Sequence, residues 1–296
     1  MPIEETTRDG YPALTLTRDD LSATFVPKLG MIGASLEHRG DELLGQRGGL
    51  KKYAETGSTM GIPLLYPWAN RLSGLTYEAA GKRVQIDPDD PRIRRDPNGL
   101  PIHGLLNANP DWQVESTGDR IHARLDFQGF DAFPFPHELR MEVEVASGLT
   151  ITTTVRANAG SPVPISFGFH PYLELPGAGR GDLHVELAVQ EHLKADDRGI
   201  PTGDTEPADE PSGPLGERTY DDGYRGVTGP FVLEGAGRRV ELTFERGYDY
   251  AQVYAPPGND LICFEPMTAP TNALVSGKGL HVTRDEFTAT FSIAVS

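Results

Sequence analysis

The chain has a single cysteine, Cys263. No intrachain disulfide can form, and a thiolate-rich metal site is excluded. Long apolar runs are missing as well. Nothing is long enough to span a bilayer, and the opening Met1-Pro2-Ile3-Glu4-Glu5 lacks the basic and apolar stretches of a secretory leader. A cytoplasmic location is therefore the expectation. Positive charge is scarce, with 27 Lys and Arg against 43 Asp and Glu and a formal net charge of -16. Such a surface repels phosphate backbones and anionic lipid, so neither nucleic acid nor membrane is an expected partner, and highly phosphorylated substrates are modestly disfavoured. Two catalytic patterns are also absent. There is no Gly-x-Ser-x-Gly nucleophile elbow and no glycine-rich phosphate loop of the Walker or Rossmann kind.

What the chain does have is 34 glycines and 25 prolines among 296 residues, with almost no helical periodicity. Short alternating runs bounded by Gly/Pro turns predict an all-β protein, a large antiparallel β-sandwich with little helix. Strands are expected over 13–17, 22–26 and 33–37, then at 75–77 and 82–86. They crowd together from Trp112 onward, at 112–115, 120–127, 139–145, 149–155, 163–169 and 183–189. Hairpins fill the stretch from Phe231 to Val295. Residues 40–57 read as loop, and 61–72, with Pro63 and Pro67 in an apolar run, as an ordered irregular segment. The acidic, Gly/Pro-rich stretch 195–230 reads as a long functional loop. Too few residues follow it for an independent core, so residues 1–296 are expected to form a single domain.

Chemistry concentrates at two strand ends. In Ile165-Ser166-Phe167-Gly168-Phe169-His170-Pro171-Tyr172, alternation puts Phe167 and Phe169 on a core face and Ser166, Gly168 and His170 on the other. Gly168 marks a close approach by a ligand or another backbone. Leu261-Ile262-Cys263-Phe264-Glu265-Pro266 repeats the pattern, with one carboxylate closing an apolar strand. Burying it is costly unless it is hydrogen-bonded or used, and an apolar setting would raise its pKa toward that of a base working near neutral pH. His103, His170 and Glu265 also make a conceivable two-histidine, one-carboxylate metal set. Each ends a different segment, however, and compact His-x-His or His-x-x-x-His spacing is absent, so no metal is expected. His38, His122, His137, His184, His192 and His281 read as surface or packing residues.

Five segments occur in order: Pro67-Trp68-Ala69-Asn70-Arg71, Ile102-His103-Gly104, Phe133-Pro134-Phe135-Pro136, Gly168-Phe169-His170-Pro171-Tyr172 and Phe264-Glu265-Pro266. Together they resemble the aldose 1-epimerase (mutarotase) family over almost the whole chain. The resemblance implies a galactose-mutarotase-type sandwich (supersandwich) with a sugar in a cleft, His170 as general acid and Glu265 as general base. It implies that Arg71, His103 and an aspartate bind the sugar. Tyr220-Asp221-Asp222-Gly223-Tyr224 points to Asp221, with Asp222 one register step away. Asn70 adjoins Arg71, and Trp68 is positioned to stack on the sugar or to pack in the core. The implied function is an isomerase that interconverts the anomers of a free hexose without a cofactor, as a monomer or homodimer. The segment after His103 reads Gly104-Leu105-Leu106 in place of a glycine pair. The late motif Glu265-Pro266-Met267-Thr268-Ala269-Pro270 is closer to the branch that includes hexose-6-phosphate epimerases. A 6-phosphate substrate requires basic residues at the C6 end of the sugar, for which Lys51, Lys52, Arg92, Arg94 and Arg95 are the loop candidates. Two rivals lie outside the epimerases: a non-catalytic sugar-binding protein on the same fold, which would need no acid–base pair, and a sandwich-fold glycosidase.

Overall fold

A computed structural model of the chain describes residues 3–209 and 212–296. It is built almost entirely of antiparallel strands. A five-stranded sheet runs from Glu4–Arg8 to Asp41–Glu42 in sequence order. A nine-stranded sheet then has Arg238–Arg246, Glu286–Val295, Leu149–Ala157 and His137–Val145 at its centre, and an eight-stranded sheet is organised around Leu261–Met267.

Alternation decides which face each strand buries. In Arg120–Phe127, Ile121, Ala123, Leu125 and Phe127 are buried while the residues between them are exposed. The neighbouring His137–Val145 pairs Val143 with Ile121 and Leu139 with Leu125, so both strands present the same inward face. Sliding this register by one residue would turn every apolar side chain to water. The two large sheets meet through aromatic contacts. Phe169 lies 5.1 Å from Phe291 and Phe231 lies 5.5 Å from Phe264, centroid to centroid. Each such ring contributes roughly 1.5–3 kcal/mol when fully buried.

Leu261–Met267 differs from these half-buried strands, because all seven of its residues are buried. It runs between Tyr250–Ala255 on one side and Gly168–Phe169 and Tyr172–Glu174 on the other. A strand covered on both faces should be apolar throughout. Glu265 is its one ionisable carboxyl group.

Several expected elements differ in detail. Residues 40–57 are not all loop, since Gly49–Thr56 is an α-helix that buries Leu50 and Tyr53 and ends at Gly57 with φ 67°. The glycines that suggested a loop sit at its two ends. The stretch 195–230 is not a structureless loop. It contains strands Pro201–Pro207, Gly213–Pro214 and Tyr220–Arg225, which extend the sheets, and residues 210 and 211 lie outside the described residues. The expected strand 163–169 divides. Val163–Ile165 pairs with His281–Thr283, whereas Gly168–Phe169 joins the eight-stranded sheet. Strand 261–267 does not close at Glu265 but continues through Pro266, which faces Ala251.

Candidate active site

Gly168 is a glycine for a backbone reason. A Cβ there would lie 2.6 Å from the Pro266 carbonyl oxygen and 3.1 Å from Ala69. The gap beside it is filled by protein, so of the two expected visitors it is another backbone that makes the close approach. That approach brings the two chemically loaded segments together. Gly168 pairs with Met267, Tyr172 pairs with Cys263, and His170 lies between those two pairings. Its imidazole Nε2 is 3.2 Å from Glu265 Oε1, with both side chains buried. Tyr172, two residues on, stacks its ring on the His170 ring at 4.4 Å and 11°.

These groups form one wall of an open cavity of about 260 Å³. Asn70, Arg71, His103 and Asp221 line it too. Asn70 (φ 55°) and His103 (φ 63°) both adopt left-handed backbone, and the His103 N–H donates to the Asn70 carbonyl at 3.0 Å. The Asn70 side-chain oxygen accepts from the Arg71 N–H at 2.8 Å. Arg71 is thereby set between two carboxylates. Its Nε donates to Asp96 at 2.9 Å and its Nη2 to Asp221 at 2.9 Å. Gly199 makes room for the guanidinium, because a Cβ there would fall 2.9 Å from Arg71 Nη1. Asp221 also accepts from Gln252 Nε2 at 3.0 Å. The register left open between Asp221 and Asp222 is decided by strand alternation. Asp221 lines the cavity, while Asp222 bonds His192 at 3.1 Å.

Trp68 is the exception among the residues expected around a sugar. It is fully buried in the main core and does not line the cavity. Alternate residues Leu64, Tyr66 and Trp68 all point into that core, and Trp68 forms a bridge with Ser166. The indole is used for packing, which corrects the expectation that it stacks on a ligand.

The electrostatics of the wall follow from its burial. Burial pushes the Glu265 carboxyl well above its usual range; the Asp221 charge adds to this and Arg71 opposes it. Burial, then the nearby Arg47 charge, pulls the His170 imidazole down to about 3. His103 is likewise lowered, by burial first and by His170 second. For Asp96 the balance runs the other way. Burial raises its carboxyl, but the Leu100 N–H and Arg71 outweigh this and hold it ionised. Both shifts favour the uncharged forms of the pair, imidazole and carboxylic acid, which leave one proton between the two facing atoms. Glu265 Oε2, His170 Nδ1, His103 Nδ1 and Arg94 Nη1 are all buried with no hydrogen-bond partner. Each unmet group costs about 1–3 kcal/mol, so four of them around one cavity is a cost that packing alone does not require.

Several wall residues carried no sequence signal. Arg47 donates to the Tyr172 hydroxyl at 2.8 Å and Thr59 shares that hydroxyl at 2.6 Å, and Asp96 and Tyr254 also line the cavity; Arg94 and Arg95, two of the basic loop candidates, line it as well. As metal donors, His103, His170 and Glu265 do not converge. Among the described residues the one trio whose ligand atoms lie within 4.8 Å of one another is His184, Glu186 and Glu234, away from this cavity. Arg239 already pairs with both of those carboxylates. No helix among the described residues is long and apolar enough to cross a membrane.

The family model for aldose 1-epimerase matches residues 12–287. Among solved structures, a galactose mutarotase-like protein from Clostridium acetobutylicum superposes with a TM-score of 0.85 at 18% identity, covering 99% of this chain and 98% of that one. A GalM/aldose epimerase homologue from C. elegans gives 0.77 at 16% identity, covering 96% and 98%. Galactose 1-epimerase from Lactobacillus acidophilus NCFM gives 0.76 at 14% identity, covering 99% and 98%. At these identities the likeness establishes the galactose mutarotase-like fold. No curated protein matches the sequence.

Proposed function

The chain belongs to the aldose 1-epimerase family, and from that premise we propose that it interconverts the α and β anomers of an aldohexose, with His170 and Glu265 as the acid–base pair. The observation that carries this reading is the buried 3.2 Å contact between His170 Nε2 and Glu265 Oε1 on the wall of a sugar-sized cavity. A pyranose is a hemiacetal. Opening it needs one proton delivered to the ring oxygen and one removed from the anomeric hydroxyl.

The opening step starts with the pair's single proton on His170 Nε2 and Glu265 as carboxylate: His170 passes that proton to the ring oxygen while Glu265 takes the proton from the anomeric oxygen. The bond from C1 to the ring oxygen breaks and the C1 carbonyl forms. The pair is left as neutral imidazole and carboxylic acid, the state that its buried surroundings favour. After rotation about C1–C2 the freed hydroxyl attacks the other face of the carbonyl. Glu265 then returns its proton to the carbonyl oxygen and His170 accepts that of the attacking hydroxyl. No net proton or electron is exchanged, and the pair resets itself. A positioned proton-transfer group of this kind contributes about 10²–10⁴ in rate. Arg71, fixed between Asp96 and Asp221, and His103 orient the ring hydroxyls, with Asp221 and Asn70 as further partners. The closest test is polarimetry on freshly dissolved aldoses. Enzyme-dependent acceleration of the approach to rotational equilibrium is the expected result, and a rate equal to the spontaneous one for every aldose tried would end the proposal.

A further inference from the structure

His170 has to present Nε2 to Glu265 and to a sugar at once, yet the usual means of aiming an imidazole is missing. A working histidine is ordinarily oriented by a hydrogen bond from its other ring nitrogen. Here Nδ1 is buried without a partner, and the residue's own carbonyl, which stands close, is out of hydrogen-bonding geometry. What touches the ring instead is aromatic. Tyr172 covers one face at 4.4 Å and 11°, whereas His103 and Tyr254 meet the ring at steep angles, 82° at 5.5 Å and 69° at 5.9 Å. The parallel contact is the one that opposes rotation about Cβ–Cγ, because turning the imidazole drives its edge into the tyrosine face.

Tyr172 is itself fixed at both ends. Its N–H donates to the Gly61 carbonyl at 2.9 Å, its carbonyl accepts from the Gly45 N–H at 2.9 Å, and it pairs with Cys263 of the buried strand. A Cβ on Gly45 would lie 3.3 Å from the Tyr172 Cβ, so that glycine lets the two segments close up. The hydroxyl is gripped from either side of the helix Gly49–Thr56. Arg47, before the helix, donates to it at 2.8 Å and stands 4.9 Å from the ring centre, and Thr59, after the helix, shares it at 2.6 Å. The same hydroxyl is 3.5 Å from His170 Nε2, too far for more than a weak bond. Burial keeps the phenol protonated, so it is no base. The ring acts on the histidine and the hydroxyl anchors the ring. Resting on the acid–base assignment proposed above, we propose that Tyr172 is a positioning residue, whose stacked ring, pinned by Thr59 and Arg47, holds the His170 imidazole with Nε2 on Glu265. A misplacement of about 1 Å in such an alignment costs about 10²-fold in rate.

Two measurements test this separately. NMR of isotope-labelled histidine nitrogens reads the imidazole with no sugar present, and exchange NMR at several glucose concentrations reads kcat and KM. Tyr172→Leu keeps the place apolar but removes the stack. It should lower kcat by about 10- to 100-fold while changing KM by less than about three-fold, and the His170 nitrogen signals should shift or broaden. Tyr172→Phe keeps the stack and should hold kcat within about five-fold of the wild type. Thr59→Val and Arg47→Met loosen the anchor from outside the core and should each cost about two- to five-fold in kcat with the same, smaller change in the His170 signals. Melting temperatures check folding, and if Tyr172→Leu does not fold, the two anchor variants carry the test. Wild-type kcat with unaltered His170 signals, in Tyr172→Leu or in both anchor variants, overturns the inference. So does a loss confined to KM, which would make the ring a sugar contact. If the wild type accelerates no exchange, the His170 signals still decide: their change in Tyr172→Leu keeps the positioning role, and it is the epimerase reading that falls.

Discussion

Two buried histidines show what distinguishes a working site from a packed one. His137 is fully buried, and its imidazole is pushed down to about 4 by burial. His170 is almost as buried and is pushed down to about 3. On pKa alone the two would be equal candidates. Their hydrogen bonds separate them. His137 Nδ1 donates to the Phe135 carbonyl at 2.6 Å, its Nε2 meets the Tyr66 hydroxyl, and its ring stacks on Phe127 at 4.7 Å. Every polar atom of that side chain is used inside the core. His170 has one nitrogen facing a buried carboxyl and another with no partner, beside a cavity. A perturbed pKa reports burial, whereas several unmet polar atoms converging on one cavity report a place kept for something else.

The strongest way to break this comparison is to remove each polar group in turn. His170→Asn and Glu265→Gln are each expected to lower anomer exchange by about 10²–10⁴-fold. The double variant should be little worse than either single one, because the pair acts as a unit. His137→Phe should leave the rate per folded molecule unchanged and instead lower stability by about 2–4 kcal/mol, since the Tyr66 hydroxyl and the Phe135 carbonyl both lose their partner. Exchange NMR alongside urea melts reads both quantities. Near-wild-type exchange in either cavity variant, or an unaltered melt for His137→Phe, would collapse the distinction.

A smaller effect tests the electrostatics. Glu265 has a folded pKa above its ordinary 4.5, so above that pH the folded chain keeps a proton that the unfolded chain has lost. Stability then falls as pH rises toward the folded value, by up to about 1.4 kcal/mol per pH unit. His170 has the opposite sign in a different window. Its folded pKa of about 3 lies below the ordinary 6.5, so it takes stability away only as pH falls through that interval. Well above pH 6.5 the histidine contribution is flat, and comparing Glu265→Gln with the wild type separates this carboxyl from the other raised acids, Glu174 and Cys263. Glu265→Gln should therefore be more stable than the wild type there, by a margin that widens with pH. Parallel melts across that range check it, and a constant or shrinking margin would mean the carboxyl is already ionised in the empty cavity.

Local sequence made the pair legible because alternation is a local property. An ionisable side chain in an otherwise mostly apolar run is visible at both His170 and Glu265, and two-residue spacing also puts Tyr172 on the His170 side. Two of the cavity's arginines were not legible in this way. Arg47 precedes a short helix, and Arg94 sits in the charged turns of 87–100, where no period constrains direction. Their convergence depends on contacts far apart in sequence, such as Arg47 with Tyr172 and Gly57 with Arg94. The fold class could be read from turn spacing, whereas the helix Gly49–Thr56 was hidden by its terminal glycines and the strands within 195–230 by acidic composition.

Trp68 tests the boundary between the two regions most finely. Sequence placed an aromatic two residues before Asn70, where a sugar face could stack, and the fold turns it inward with Leu64 and Tyr66. Its indole Nε1 is buried without a partner, so Trp68→Phe removes an unmet donor along with some packing volume. These contributions oppose one another, and a net destabilisation of about 1 kcal/mol is expected. KM for the sugar should not change, because the ring lies behind the cavity wall and not on it. A stacked aromatic would behave differently, since its truncation weakens binding directly. Steady-state kinetics on Trp68→Phe, compared with the melt of the same sample, separates the two cases: a several-fold rise in KM at unchanged stability would return Trp68 to the sugar site.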